Sequence, residues 1–250
     1  MRLFHRFTTK VLLPSCLSLV SCFHEKSKLL CEPGYDYFNA SVYEPCSEFV
    51  FRAKYWYDGE LVSDENISVF ITGNHWQYDS SQAEALLLYN SDYDQSSIER
   101  IRSFGINPEI NERKWVNQST TGIIDNENMV FLHPFRDNQY YFTEIAPFPE
   151  VFFPFYLGKT WTGKLNIGAG WGIWDGQRIE TSYEVVKKES LIISGKKYDN
   201  CWKISSRANS TFGVSSLNTW FHDEFGFIKY NYITYAGQIL QLELVEVVRH

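Results

Sequence analysis

The chain has 250 residues, 17% of them aromatic, and a formal net charge of −7 at pH 7. Such an excess of carboxylates repels phosphate backbones and argues against nucleic acid as a partner. The length suits one domain with an ample core, and Trp, Tyr and Phe at this density favour strands.

The first segment is a targeting signal. Arg2, Arg6 and Lys10 precede an apolar run, Val11 to Val20, interrupted by Pro14 and Ser15. A basic start and a short apolar stretch describe a secretory signal. The run is too short for a membrane span, which needs about 20 apolar residues. It ends in Leu19-Val20-Ser21-Cys22, which resembles the bacterial lipobox. That resemblance implies cleavage before Cys22, thioether lipidation of its sulfur and acylation of the new amine. Phe23 in place of Asp after the cysteine implies the outer membrane rather than the inner. The expected organisation is therefore a signal peptide over 1–21, a lipidated cysteine and short tether over 22–32, and a single β-rich domain over 33–250. Three acyl chains would make the membrane a permanent partner. Losing residues 1–21 removes three cations, Arg2, Arg6 and Lys10, and no anion, so the net charge moves from −7 to −10.

Cys16 leaves with the signal, and Cys22 is taken by lipid. Cys31 and Cys46 are the expected disulfide, closing a loop of about 15 residues worth roughly 3 kcal/mol in the chain-entropy model. Cys201, in an alternating strand, reads as a buried free thiol.

Strand signals then dominate. Residues 47–57 alternate and run into Asp58-Gly59, a hairpin dipeptide. Ile67, Val69 and Ile71 alternate, and Trp76 and Tyr78 follow Gly73-Asn74. Residues 84–89 fit a strand or a helical turn. One short helix is expected over 95–104, where Ser96 and Glu99 form a capping-box pattern and Gly105 and Pro108 stop it. Further strands are expected at 129–132, 139–145, 159–167, 178–188, 190–194, 200–207, 211–221, 227–235 and 239–248. Many strands with short turns predict a mostly all-β fold, an antiparallel meander curled into a half-barrel, barrel or sandwich. In the last strand Leu240, Leu242 and Leu244 share one face while Val245 and Val247 change phase, which predicts a β-bulge or a strand buried on both sides.

From about Leu157 the chain also resembles a loose group of uncharacterised β-meander envelope proteins. The residues that carry the resemblance are Phe155-Tyr156-Leu157-Gly158-Lys159-Thr160-Trp161, Tyr198-Asp199-Asn200-Cys201-Trp202-Lys203-Ile204 and Thr219 to Tyr230, with the strand Leu240–Val247 at the end. It spans roughly the last 95 residues and implies a β fold in the envelope, with no catalytic residues to carry over.

Chemistry is sparse. No His or Cys spacing suits a metal, no nucleophile elbow occurs, and no cofactor is expected. The Gly168-Ala169-Gly170-Trp171-Gly172 run lacks the lysine of a phosphate loop. His222-Asp223-Glu224 reads as a solvated turn, and Glu144 with Glu150 as solvated edges rather than a carboxylate pair for sugar chemistry. Residues 145–155 hold three prolines, which bar a central strand, together with four phenylalanines. This segment either covers the core or forms the lip of an apolar groove, with Phe148, Phe152, Phe155, Trp161 and Trp171 as its lining. The function expected from sequence is a non-enzymatic, membrane-anchored envelope lipoprotein that binds or carries an apolar ligand. The alternatives are a structural or assembly lipoprotein docking onto another envelope protein and, third, a glycan-acting hydrolase.

Overall fold

A computed structural model describes residues 42–89 and 92–249. The signal 1–21, Cys22, the 22–32 tether and Cys31 lie outside the described residues.

Twelve strands form one antiparallel sheet: β1 (Ser47–Tyr57), β2 (Glu60–Trp76), β3 (Asp79–Leu88), β4 (Gln118–Asp125), β5 (Met129–Leu132), β6 (Glu150–Phe152), β7 (Thr160–Asn166), β8 (Arg178–Ile193), β9 (Lys196–Ser210), β10 (Gly213–His222), β11 (Gly226–Ile233) and β12 (Ile239–Arg249). Their order is β6-β5-β4-β3-β2-β1-β12-β11-β10-β9-β8-β7. Every ladder joins consecutive strands except β1 with β12, where Ser47 opposes Arg249. The two edges, β6 and β7, are consecutive in sequence but share no ladder. The sheet is an open curl, neither a closed barrel nor a sandwich.

Local sequence explains the strands. In β8, Ile179, Thr181, Tyr183 and Val185 are buried while Arg178, Glu180, Ser182 and Glu184 face solvent, the period of two that a half-buried strand requires. Asp58-Gly59 and Ser194-Gly195 both have positive φ at each residue, 49° with 79° and 49° with 81°. That is the I′ geometry matching the twist of paired strands. The phase change near Val245 is a bulge: Val50 opposes Glu246 and Phe51 opposes Leu244, leaving Val245 unmatched.

Other expectations are corrected. The strands expected at 178–188 and 190–194 are one. Helix α1 (Gln95–Arg102) is capped not by Ser96 but by Asp94, whose carboxylate accepts from Ser97 N–H at 2.8 Å. A second short helix, α2 (Pro108–Asn111), follows. Residues 139–145 are not a strand but part of a 3-10 helix, Asn138–Ile145, in which every residue from Gln139 onward is buried. Tyr140, Tyr141 and Phe142 are apolar at consecutive positions. That suits burial on all sides, whereas a two-faced strand would send alternate ones to water.

This inner helix fills the concave side of the sheet. Phe142 packs on Tyr55 at 5.2 Å between ring centroids, Phe135 on Phe51 at 6.2 Å, and Tyr141 on Trp174 at 5.6 Å. Most of its polar groups are bonded inside. Tyr140 Oη donates to Glu65 Oε1 at 2.5 Å, and Gln139 Nε2 donates to the same oxygen. Thr143 Oγ1 donates to the Phe135 carbonyl at 2.6 Å.

Alternating hairpins give the sheet two rims. The helix rim carries Asp58-Gly59, α1, α2 and the loops 167–177, 211–212 and 234–238. The opposite, strap rim carries the turns 126–128, 153–159, 194–195 and 223–225 and receives the segment Val42–Cys46. Asp125 Oδ2 fastens that segment, accepting from Val42 N at 2.8 Å and Tyr43 N at 2.7 Å. Tyr43 Oη in turn accepts from Phe227 N at 3.0 Å.

Cys46 is disulfide-bonded and Cys201 is free and buried, so the other half of the Cys46 bridge lies outside the described residues. Burial raises the Cys201 thiol to about 11. Non-reducing peptide mapping is expected to yield Cys31–Cys46. Native protein at neutral pH should leave Cys201 unalkylated until it is unfolded. A bridge to Cys201 would contradict both.

Candidate functional site

The five aromatic residues expected to line a groove do not converge. Phe148 is buried against Phe131 and His133, with centroids at 6.1 and 5.6 Å. Phe155 lies stacked on Trp202 at 5.2 Å and against Phe221 at 5.6 Å. Trp171 sits beyond the helix rim under the Arg113 guanidinium, 4.5 Å from its ring. Only Phe152 and Trp161 meet, edge to face at 5.8 Å. No cavity among the described residues is lined by all five.

Phe152 and Trp161 belong instead to the seam between the sheet edges. There Trp161 Nε1 donates to Glu150 Oε1 at 2.8 Å, and Trp161 stacks on Tyr183 at 5.1 Å and 5°. Lys159 Nζ donates to the carbonyls of Phe152 and Pro154 at 2.8 and 3.0 Å. Side chains bridge the two edges where no ladder does. Burial raises the Glu150 carboxyl above its ordinary range, opposed by hydrogen bonds from Trp161 and Tyr183. Burial also raises Glu144, opposed by Arg136 at 3.3 Å. One carboxylate is in the seam and the other in the inner helix, each with its own partner, which is not the arrangement of a glycosidase pair. His222 Nδ1 accepts from Glu224 N within its own turn at 3.1 Å, and no group of three metal-ligating side chains forms among the described residues.

The convex face carries what the sequence reading missed. Ile233 opposes Ile239, Ile239 opposes Trp56 and Trp56 opposes Leu61. Directly opposed residues share a face, so four apolar side chains form a row across β11, β12, β1 and β2. Val214, two residues from the Ser216 that opposes Ile233, extends it onto β10. Leu61, Val214, Ile233 and Ile239 are all more than 40% exposed. A shallow dip of about 290 Å3 lies at the row, between Trp56, Gly59, Gly237 and Ile239. The next rank, Asn231, Gln241, Lys54 and Asp64, is polar, and beyond it Lys229 pairs with Glu243 at 2.6 Å and Arg52 with Asp64 at 2.7 Å. The signal was present in sequence as apolar residues at solvent parity: Ile233 beside the inward Tyr232, Ile239 beside Leu240, Trp56 between Tyr55 and Tyr57.

No family model matches the chain, and no curated protein matches it. Solved structures do show a likeness. An exported-protein candidate with a YmcC-like fold from Bacteroides fragilis is 12% identical over 84% of this chain and 99% of that one, with a TM-score of 0.41. A lipoprotein candidate from Parabacteroides distasonis is 13% identical over 84% and 100%, with a TM-score of 0.44. The hypothetical lipoprotein YmcC from Escherichia coli is 12% identical over 94% and 99%, with a TM-score of 0.37.

One further cluster on the convex side has a pH consequence. Trp76 Nε1, Gln82 Oε1 and His133 Nδ1 are buried without partners, and the Trp76 and His133 rings lie 5.1 Å apart. Desolvation, then Arg136, lowers His133 to about 4. A histidine with a depressed folded pKa contributes stability that is present above about pH 6.5 and is lost as pH falls towards 4. Over that window the loss is on the order of 3 kcal/mol. Glu144 and Glu150, with raised values, act with the opposite sign, their contribution being lost as pH rises above their unfolded value. The difference in unfolding free energy between wild type and His133→Phe therefore isolates the histidine. It should narrow in favour of the variant between pH 7 and 4; a pH-independent difference would contradict the assignment.

Proposed function

We propose that this chain is an exported lipoprotein held at the outer membrane through lipid on Cys22, and that its β domain is a docking module for another envelope protein. The anchor reading rests on the basic start, the short apolar run and Leu19-Val20-Ser21-Cys22. Val42 joins the domain at the strap rim, so that rim is tied to the bilayer. The 19 residues from Phe23 to Ser41 span at most about 65 Å. The convex row lies nearer the helix rim, away from the end at which the chain enters the domain.

The observation that carries the docking reading is this row, an exposed apolar strip bordered by ion pairs, which is the anatomy of a protein interface. The filled concave side counts against the reading first favoured from sequence, an apolar ligand carried inside the curl. Two substitutions test the two parts separately. Cys22→Ser should abolish acylation and move the chain out of the membrane fraction; wild type without lipid mass would end the anchor reading. Ile233→Asp with Ile239→Asp should leave the melting temperature within a few degrees, because both side chains are exposed. It should also collapse a larger native complex of the gently solubilised envelope to the monomer. A wild type that runs as a monomer from the start would end the docking reading.

A further inference from the structure

At the helix rim, α1, α2 and the start of the inner helix enclose a cavity of about 40 Å3. At 10–15 Å3 for each water, this holds roughly three waters, the bulk of one carboxylate or phosphate group. Its wall includes Arg102, Arg113, Lys114, Trp115, Arg136 and Gln139. Four cations thus gather in one place on a chain whose net charge is −7. The carboxylate in the same wall, Asp137, is already engaged by Tyr89 Oη at 2.9 Å and Ser119 Oγ at 2.6 Å.

The guanidinium planes are fixed in advance. Arg102 donates to the Arg113 carbonyl at 2.6 Å and lies over the Trp115 ring. Arg113 donates to the Gly170 carbonyl and lies over Trp171. Arg136 holds Glu144 at 3.3 Å. Each guanidinium carries five N–H donors, so these contacts orient the groups without exhausting them. Two lining residues also hold a buried polar atom with no partner, the donor Trp115 Nε1 and the acceptor Gln139 Oε1. Gln139 is only 5% exposed. Burying a donor and an acceptor unpaired is costly, and both belong to residues of the cavity wall.

We infer that this cavity is a binding site for an oxyanion, a phosphate or carboxylate group, presented by a small polar ligand. The site is independent of the docking row, since it uses other residues and another chemistry.

The test uses the intact chain labelled with 15N-tryptophan, titrated at low ionic strength with inorganic phosphate and, separately, acetate. The chain has eight tryptophans, and Trp115→Phe identifies the Trp115 indole signal. One or both anions should shift that signal saturably, with a dissociation constant on the order of millimolar. A response to phosphate alone or to acetate alone tells which group the site takes. Lys114→Glu, an exposed change at the mouth, should weaken binding at least about tenfold. Arg102→Gln, read on the same Trp115 indole, should weaken it likewise by removing a second wall cation. No shift with either anion, or binding indifferent to both substitutions, would mean that the cavity holds water only and would overturn the proposal.

Discussion

Phe142→Ala is expected to destabilise the domain by about 3–5 kcal/mol, the range for truncating a fully buried aromatic ring. Phe142 is 0% exposed and meets both Tyr55 of β1 and Tyr141 of its own helix. The inner helix is pinned by Tyr140 to Glu65 and by Thr143 to Phe135, so it cannot easily collapse into the gap. For a domain of this size the melting temperature should fall by roughly 10 °C. The same variant asks what the concave side is for. Wild type should bind no apolar dye there, whereas the variant should acquire an apolar hole able to take a benzene-sized molecule. Calorimetric melting and dye titration check both. Strong dye binding by wild type with a small loss of stability in the variant would revive an interior carrier.

Asp125→Ala should cost about 3–5 kcal/mol, because it leaves two buried backbone N–H groups, those of Val42 and Tyr43, without the acceptor they share. The damage should begin locally. Once the strap loosens, Tyr43 Oη no longer holds the Phe227 amide. Hydrogen exchange should then accelerate at Val42, Tyr43 and Phe227 before the rest of the sheet opens. Asp125→Asn keeps an acceptor oxygen and should recover much of the loss. Uniform acceleration across all strands would show that the strap is not a separate unit.

The parts of this fold that were legible in sequence are those with a local cause. Asp58-Gly59 marked a hairpin because both positions need positive φ. The phase change of Val245 and Val247 against Leu240, Leu242 and Leu244 marked a bulge or a strand buried on both sides, because side-chain period is two, and the pairing shows the bulge. The prolines of 145–155 barred a central strand, and what forms there, β6, is a three-residue edge. Residues 139–145 were misread because a run of aromatics fits a strand as well as it fits a helix buried on all sides; only the surrounding sheet decides. The groove residues show a similar limit. Phe148, Phe155 and Trp161 announce burial but not against what, and the structure sends them to different neighbours. The cavity cations could not be grouped in advance, since Arg102, Arg113, Lys114 and Arg136 come from three segments that the fold brings together.

The order of the strands bears on how the chain assembles. Ten of the eleven ladders join strands adjacent in sequence, so β1–β6 and β7–β12 can each zip up hairpin by hairpin with little loop to close. The exception is β1 with β12, which brings Ser47 beside Arg249 across nearly the whole chain. Loop closure makes that contact the slow and entropically expensive one, and until it forms each half exposes a long unpaired strand. The two meanders are therefore expected to nucleate separately and to join late, and a chain caught half-assembled would offer β1 and β12 as sticky edges.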